Sequence, residues 1–342
     1  MTNIKVAVLS PAVGTGLGIG HLRRCETLGD WLQSRGWAVF SSPLRIDGDS
    51  VSLEGDGFPE VTGETTSQAL WIIDASVTSS MHVGQHVQDL LKGNEGLWRV
   101  CLIDNQSPTA LAPHLFPTIQ PYLIVIPHGA PGRRSKGRDR IGLGYAVFPN
   151  ALYQVAGMRS DAEPAIAERL LVTTGGIDSA GMSAFFVQCL ELVDHPRLRV
   201  SVTIGPDFSS SNIQSVESRC RKSRHSWTLV REAPSLVQYA AETDLALTAG
   251  GLTKVELCAM GVPAVIIDEA RDHAGDSILL NELGAAHWLG LFADLNETEC
   301  VDAISSLIHD GDRRQAMSKA GRAVFNRAYA ETTISELEEA IQ

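Results

Sequence analysis

Short apolar runs alternate along the chain with stretches whose apolar residues recur every three or four positions. The runs have the length of strands and the stretches have the spacing of amphipathic helices, a pattern that predicts an α/β fold with parallel sheets. We predict strands at residues 4–9, 37–40, 69–74, 99–104, 122–126, 168–174, 198–205, 226–230, 244–249 and 261–267. We predict helices at residues 22–32, 79–91, 180–193, 235–242, 277–283, 297–308 and 313–329, and a loop at residues 47–64.

A polar, irregular stretch at residues 149–164 separates two series of these elements. The chain has 342 residues, of which 44% are apolar. Because domains usually have about 100 to 150 residues, this length is enough for two cores. We therefore expect two Rossmann-like domains, residues 1–155 and residues 165–325, joined by a linker. Residues 326–342 are expected to form a C-terminal helix that can pack back on the first domain.

The net charge of −12 argues against a nucleic-acid partner, whose binding surface would be basic. An acidic protein can still bind phosphate through backbone amides and a few arginines. The six cysteines form no C-x-x-C pair, which is typical of reduced structural thiols in a cytosolic protein. No apolar run reaches the roughly 18 residues of a membrane span. We expect a cytoplasmic protein with a small-molecule partner, no nucleic acid and no membrane span.

Two patterns resemble parts of metal sites. The D-G-D string at residues 47–49 lies in turn-forming sequence, and we interpret it as a solvated turn. His82 and His86 are four residues apart, but the glutamate of H-E-x-x-H and a third ligand are missing, so surface or core histidines are favoured. We expect no metal and no cofactor. The basic residues 129–140 form either a flexible loop or a loop that folds over an anionic ligand.

A glycine-rich turn at residues 14–20 separates the first strand from a helix that begins near His21. Such a unit places backbone N–H groups and one reactive side chain at the edge of a parallel sheet, where open α/β sheets bind ligands. The glycine spacing does not fit G-x-G-x-x-G and the chain has no G-K-[ST], so neither an NAD enzyme nor a P-loop NTPase is predicted. Histidine is suited to deprotonating water or a hydroxyl. The alternative for His21 is a helix-capping or packed histidine.

A second glycine turn follows the strand at residues 168–174. Gly175 and Gly176 allow a tight turn into a helix that Asp178 or Ser179 can cap. The N–H groups at the start of this helix are suited to binding a phosphate.

A third turn repeats the arrangement after residues 244–249. Gly250 and Gly251 would let a ligand approach the next helix closely, and Thr253 adds a hydroxyl. Glu256 is suited to accepting hydrogen bonds from vicinal hydroxyls such as those of a ribose. An acid near a helix start is also explained by the helix dipole, which is the alternative for Glu256.

Three stretches carry a resemblance to one family. GIGHLRRC at residues 18–25 resembles the G-x-G-H-x-x-R-C signature of the UDP-sugar hydrolases of pseudaminic acid biosynthesis (UDP-2,4-diacetamido-2,4,6-trideoxy-β-L-altropyranose hydrolases) and of the related spore-coat polysaccharide proteins. TGGID at residues 174–178 is similar to the G-G-x-D turn of that family. AGGLTKVELCAMGVP at residues 249–263 is similar to its A-G-G-x-T-x-x-E-x-x-x-x-G-x-P stretch, which the GlcNAc transferase of peptidoglycan synthesis shares in outline.

The resemblance implies a GT-B fold, in which two Rossmann-like domains with parallel sheets face a central cleft. It implies a metal-independent enzyme in which His21 of the first domain is the general base at the anomeric carbon. The second domain would bind UDP through Gly175, Gly176, Asp178, Gly250, Gly251, Thr253 and Glu256. The residues at or bordering the sugar would be Gly18, Gly20, Arg24, Asp74, Tyr145, Asp272 and His273.

Several of these positions depart from the family. Asp272 and His273 stand where the family has an Asn-Gln or Asp-Gln pair, and the stretch around Tyr145 lacks an arginine. The family has a D-x-Y string where this chain has Ile73-Asp74-Ala75-Ser76. The sugar and the acceptor therefore stay open. The first hypothesis is a hydrolase of a UDP-linked amino or deoxy sugar, in which water attacks with inversion and UDP leaves. The alternatives are a GT-B glycosyltransferase in which His21 activates an acceptor hydroxyl, and a non-catalytic nucleotide-sugar-binding protein.

Overall fold

The computed structural model describes residues 5–14, 20–47, 50–54, 69–75, 86, 89–92, 97–104, 121–129, 139–160, 162–231 and 235–341. For Asp104, Asp272 and His273 only the backbone is described. The chain divides into two compact units, one formed by Met1–Pro149 with Arg327–Gln342 and the other by Asn150–Asn326. No helix within the described ranges is both long enough and apolar enough to span a membrane.

The first unit is built on a mainly parallel sheet in the order β4-β3-β1-β5-β6-β7-β8, with β2 also paired to β1. Strand β5 is fully buried and packs its apolar side chains into the core of this unit. The elements are β1 (Val6–Val13), α1 (Gly20–Ser34), β2 (Ala38–Ser41), β3 (Leu44–Asp47), β4 (Ser50–Leu53), β5 (Ala69–Ala75), β6 (Trp98–Asp104), β7 (Leu123–Ile126), β8 (Asp139–Ile141) and a short 3-10 helix (Leu143–Tyr145).

The prediction of a loop at residues 47–64 is wrong for Asp47 and for residues 50–53, which belong to strands β3 and β4. Strands β3 and β4 form an antiparallel hairpin around residues 48–49, which are outside the described residues. Ile46, Val51 and Leu53 pack against the core, because apolar and polar residues alternate along both strands. Gly, Asp and Ser around this hairpin obscure the alternation in the sequence. Residues 55–64, His82 and residues 130–138 also lie outside the described part of the chain.

The second unit contains a six-stranded, fully parallel sheet in the order β11-β10-β9-β12-β13-β14. Its elements are α2 (Asn150–Met158), β9 (Arg169–Thr173), α3 (Met182–Leu192), β10 (Arg199–Ile204), α4 (Ser210–Lys222), β11 (Ser226–Arg231), α5 (Val237–Ala240), β12 (Leu245–Ala249), α6 (Leu252–Ala259), β13 (Ala264–Asp268), α7 (Arg271–Glu282), β14 (His287–Leu291), a 3-10 helix (Phe292–Asp294), α8 (Glu297–Ile308) and α9 (Gly311–Val324). The strand order reverses direction between β9 and β12. This is the switch point at which doubly wound sheets bind ligands, outside the carboxyl ends of the strands.

Helix α2 occupies much of the stretch that the sequence predicted as a linker. Leu152 and Val155 are buried and lie on one face of the helix, which contacts α5 and α6. The prediction of an irregular linker was therefore wrong for residues 150–158. The flanking prolines at 149 and 164 gave this stretch a loop-like composition although its apolar spacing is helical.

The helix predicted at residues 313–329 is two helices, α9 and α10 (Arg327–Glu339). Helix α10 packs on the first unit and buries Ile334 and Leu337. Arg35 donates a 2.6 Å bond from Nη1 to Oε2 of Glu338, and Nε1 of Trp37 donates to Oε1 of the same carboxylate at 3.0 Å. The first unit is therefore assembled from two separate pieces of the chain.

Candidate functional site

His21 lies in the first turn of α1, as the sequence predicted. Parallel strands β1 and β5 are paired so that Pro11 lies opposite Asp74, which brings the carboxyl ends of both strands to the same edge. Helix α1 follows β1 at that edge. His21 and Asp74 therefore meet although 53 residues separate them in sequence.

A buried carboxylate holds His21 and Arg24 together. Nδ1 of His21 lies 2.6 Å from Oδ1 of Asp74. Arg24 donates from Nε to Oδ2 at 2.8 Å and from Nη2 to Oδ1 at 2.7 Å, so its guanidinium engages both carboxylate oxygens. The side chain of Asp74 is completely buried and that of His21 is 6% exposed. We call these three residues the histidine cluster.

The carboxylate of Asp74 is stabilised in its charged form. Burial alone would raise the pKa of Asp74, but the charge of Arg24 and the hydrogen bonds from His21 and Arg24 outweigh it and hold the pKa below its ordinary value. An ionised carboxylate only accepts hydrogen bonds, so the 2.6 Å contact with Asp74 favours a proton on Nδ1 of His21. Nη2 of Arg24 also lies 3.0 Å from Nδ1, and with Nδ1 protonated Nη2 donates to the carboxylate alone. In the neutral ring this leaves Nε2 as the basic nitrogen, the tautomer that a general base requires.

Arg24 and Asp74, which the resemblance placed at or near the sugar, contact each other in the structure, and Asp74 contacts His21. Gly20 is the first residue of α1, and Gly18 lies outside the described residues. Tyr145 lies in the 3-10 helix, where its ring packs edge-on against Tyr329 with centroids 5.9 Å apart.

Asp272 and His273 lie in the first turn of α7, which begins at Arg271. The sequence predicted a polar loop there and a helix from Ser277, so the helix starts earlier than predicted. The side chains of Asp272 and His273 are outside the described part of the structure.

Two glycine turns of the second unit lie side by side at the switch point. Gly175 follows β9 with a φ of +90°, a conformation that favours glycine, and a Cβ at this position would lie 3.7 Å from Oγ1 of Thr253. A Cβ built on Gly176 or Gly251 would meet nothing within 4 Å among the described atoms. In the part of the chain that the structure describes, open space therefore adjoins both turns.

Helix α6 starts beside these turns. Its cap residue Gly251 provides no side-chain hydrogen bond, so the first backbone N–H groups of the helix keep the partial positive charge that attracts anions. Thr253 and Glu256 follow on the first two turns, and both are half-buried.

The close packing of this region also requires a glycine at position 205, which was not predicted from the sequence. It follows β10, and a Cβ there would overlap the carbonyl oxygens of Gly175 and Gly176. Asp207 donates its backbone N–H to the carbonyl of Gly176 at 3.0 Å. The available signal in the sequence was a glycine directly after a strand. Why a glycine is required there becomes clear only from the close approach of two loops in space.

Asp178 caps α3, one of the two capping alternatives that the sequence left open. Its carboxylate accepts bonds from the backbone N–H groups of Met182 at 2.8 Å and Ser183 at 3.2 Å. Burial raises the pKa of Asp178, and these hydrogen bonds oppose the rise. Ser179 instead donates to the carboxylate of Glu269 at 2.6 Å. The Asp178 carboxylate thus supports the turn from inside the unit.

Beneath the third turn lies a buried polar network that the sequence interpretation missed. Ala249 of β12 pairs with Ile267 of β13, so the next residues, Gly250 and Asp268, are neighbours. Asp268 is completely buried, and its carboxylate occupies the space that a side chain at position 250 would need. Gly250 is therefore required for packing against Asp268, whatever its part in ligand binding.

Three donors surround the Asp268 carboxylate. Ser277 donates from Oγ to Oδ1 at 3.0 Å, and Trp288 donates from Nε1 to Oδ2 at 2.7 Å. Nζ of Lys254 lies 3.6 Å from Oδ1 and donates to Oγ of Ser277 at 2.7 Å. We call Lys254, Asp268, Ser277 and Trp288 the lysine network. Its only sequence signal was an acid at the carboxyl end of a buried strand.

In the described part of the chain, no group of three or more His, Cys, Asp or Glu side chains could hold a metal ion. The two arrangements that stand out are instead a carboxylate-oriented histidine in the first unit and glycine turns beside a helix N-terminus in the second. The first can accept a proton. The second is suited to an anion such as a diphosphate.

No family model matches the chain. It is 24% identical over 353 residues to the UDP-N-acetylglucosamine–N-acetylmuramyl-(pentapeptide) pyrophosphoryl-undecaprenol N-acetylglucosamine transferase of Chromobacterium violaceum, with 94% of each chain covered. The crystal structure of Acinetobacter baumannii MurG superposes with a TM-score of 0.67 at 12% identity and covers 98% of this chain and 99% of that one. The fold is GT-B. The glycotransferase of kitacinnamycin is also similar, with a TM-score of 0.60, 12% identity and complete coverage of both chains.

The comparisons therefore confirm the fold class that the sequence predicted. The particular family that the three motifs resemble, the pseudaminic acid hydrolases and spore-coat proteins, finds no support in these comparisons, which found transferases and a UDP-N-acetylglucosamine 2-epimerase.

Proposed function

We propose that this protein is a nucleotide-sugar-dependent glycosyltransferase that uses His21 as the general base. The observation that carries the proposal is the 2.6 Å contact between Nδ1 of His21 and the buried Asp74 carboxylate. A histidine that only packs or caps a helix does not require an ionised, completely buried carboxylate locked by an arginine. A histidine that must receive a proton at Nε2 benefits from one, because the carboxylate fixes the tautomer and stabilises the imidazolium.

In the proposed reaction, Nε2 of His21 removes the proton from an acceptor hydroxyl. The acceptor oxygen forms a bond to the anomeric carbon while the bond from that carbon to the phosphate oxygen breaks, with inversion of configuration. Nucleoside diphosphate leaves with the electron pair of the broken bond. The N–H groups at the start of α6 and at the Gly175 turn would stabilise the developing negative charge.

UDP is the proposed nucleotide because of the motif at residues 249–263 and because the printed name of the Chromobacterium violaceum relative specifies a UDP-sugar. Gly175, Gly176 and Gly251 would adjoin the diphosphate and Glu256 would accept the ribose hydroxyls. Thr253 adds a donor at the same turn, while Gly250 and Asp178 support the backbone from within.

Gly18, Gly20, Tyr145, Asp272 and His273 remain the candidates for contacts with the sugar or the acceptor. Water is the second candidate acceptor, since GIGHLRRC at residues 18–25 resembles a hydrolase signature. Both reactions use the same base and the same leaving group. They differ in which oxygen reaches the anomeric carbon.

The test is incubation of the purified protein with a panel of UDP-sugars in ¹⁸O-water, with and without acceptor alcohols. A transferase releases UDP only when an acceptor is present, and the label stays out of the sugar. A hydrolase releases UDP without acceptor and places ¹⁸O on C1 of the sugar. Label in the phosphate, or UDP binding without any turnover, would contradict both reactions and favour a binding protein.

A further inference from the structure

We propose that Lys254 is a positioning residue that neutralises the buried Asp268 carboxylate beside the nucleotide-binding turn, so that a diphosphate can bind there. The inference rests on the proposed function, because it assigns that diphosphate to the Gly250–Gly251 turn. It concerns residues that do not themselves touch the ligand. Their effect would reach the ligand through charge and through the backbone of the turn.

The carboxylate of Asp268 places a negative charge directly beside the turn that is proposed to bind an anion. The Asp268 carboxylate lies against Gly250, one residue before the cap of α6. Because the group is completely buried, water screens its charge poorly. An uncompensated carboxylate at this place would oppose the positive end of the α6 dipole and repel a diphosphate.

Hydrogen bonds alone do not remove that charge. Ser277 and Trp288 satisfy the carboxylate oxygens with neutral donors. Lys254 brings a positive charge to within 3.6 Å of Oδ1, and it does so from the first turn of α6, the helix whose N-terminus adjoins the turn.

The contacts of Lys254 are those expected of a side chain whose positive charge is needed at this position. Its side chain is 4% exposed, and Nζ donates to Ser277, which in turn donates to Asp268. Burial lowers the pKa of Lys254, while the negative charges of Asp268 and Asp276 oppose that change. A leucine or methionine would fill the same volume without the desolvation cost, so a role in packing does not explain a lysine here.

The experiment compares Lys254→Met, Asp268→Asn and the double variant with the wild type. Each protein is titrated with UDP and, in competition, with uridine, which carries no phosphate. Lys319→Met is the matched control because Lys319 is exposed on α9. Melting temperature and far-UV circular dichroism establish that each variant is folded.

We expect Lys254→Met to weaken UDP binding about tenfold or more and to leave uridine binding unchanged within about twofold. Asp268→Asn should bind UDP as tightly as the wild type or more tightly, and the double variant should recover to within about threefold of the wild type. Opposite effects of the two single substitutions identify charge as the cause. If Lys254→Met does not fold, the response of Asp268→Asn and of the double variant decides the same question.

Equal losses of UDP and uridine affinity in Lys254→Met, or weaker UDP binding in Asp268→Asn, would overturn the inference and assign the network to packing alone. Identical UDP affinity in all variants would overturn it too while leaving the proposed function intact. A wild-type protein that does not bind UDP would overturn the proposed function first, and the inference with it.

Discussion

The histidine cluster and the lysine network each contain one completely buried aspartate at the carboxyl end of a strand, but they use it differently. Asp74 contacts Nδ1 of His21 and is held by Arg24, which under the proposed function leaves Nε2 as the base. Asp268 is surrounded by Ser277, Trp288 and Lys254, and its carboxylate lies against a backbone turn. In the proposed function, the buried acid therefore orients a general base in one unit and supports a turn in the other. Its partners, more than its burial, distinguish the two roles.

The largest expected effect comes from removing the reactive group. His21→Ala should lower kcat about 10²- to 10⁴-fold, the usual contribution of a general base, and leave the Kd of UDP unchanged. Steady-state UDP release and calorimetric titration measure the two quantities. His309→Ala is the control, since His309 is exposed at the end of α8. A comparable loss of UDP affinity in His21→Ala would place His21 at the nucleotide instead.

Asp74→Asn should lower kcat about 10²-fold or more while keeping the shape of the cluster. The asparagine amide can donate to Nδ1 of His21, which favours the tautomer with its proton on Nε2 and removes the base. Nitrogen-15 NMR of the His21 ring reports which nitrogen carries the proton. An Asp74→Asn protein with the wild-type tautomer and full activity would show that the carboxylate has no part in orienting the base.

Glu256→Ala should weaken UDP binding about ten- to a hundredfold, because a hydrogen bond to a charged group contributes about 1.5–3 kcal/mol. The effect should appear in Kd, in contrast to His21→Ala, whose effect should appear in kcat. Glu282→Ala, on the exposed end of α7, is the matched control. Unchanged UDP affinity in Glu256→Ala would leave the helix dipole as the explanation for this acid.

The smallest effect concerns stability and pH. The pKa of Asp74 in the folded protein is below its ordinary value of 3.8, so its contribution to stability is present above that pH and is lost as the pH falls through the lowered pKa. Arg24→Met removes the charge that lowers this pKa. We expect a melting temperature several degrees below wild type at pH 7 and a difference that narrows toward pH 3. A difference independent of pH would show that Arg24 acts by packing.

Much of the architecture follows from local sequence patterns. Parallel strands buried on both faces, such as β5, are continuous apolar runs and are visible without any knowledge of their neighbours. The capping of α3 and the position of His21 in the first turn of α1 follow from short motifs in the same way. The hairpin of β3 and β4 and helix α2 escaped prediction because their apolar spacing is surrounded by turn-forming residues or prolines.

The partners within the candidate site could not be predicted in this way. Asp74 meets His21 because β1 pairs with β5. Asp268 lies against Gly250 because of the register between β12 and β13. Lys254 looked like one more residue of the motif at 249–263. Its burial and its contact with Ser277 become evident only when α7 is placed beside α6.

Helix α10 has a consequence for the order in which the protein matures. Its residues are synthesised after the whole of the second unit, yet they belong to the same compact unit as β1. The second unit is continuous in sequence and can complete its core before α10 has been synthesised. The unit that carries His21 lacks the contacts of Glu338 with Arg35 and Trp37 until α10 has been synthesised. The second unit is thus able to mature first, and α10 then completes the unit that holds the proposed base.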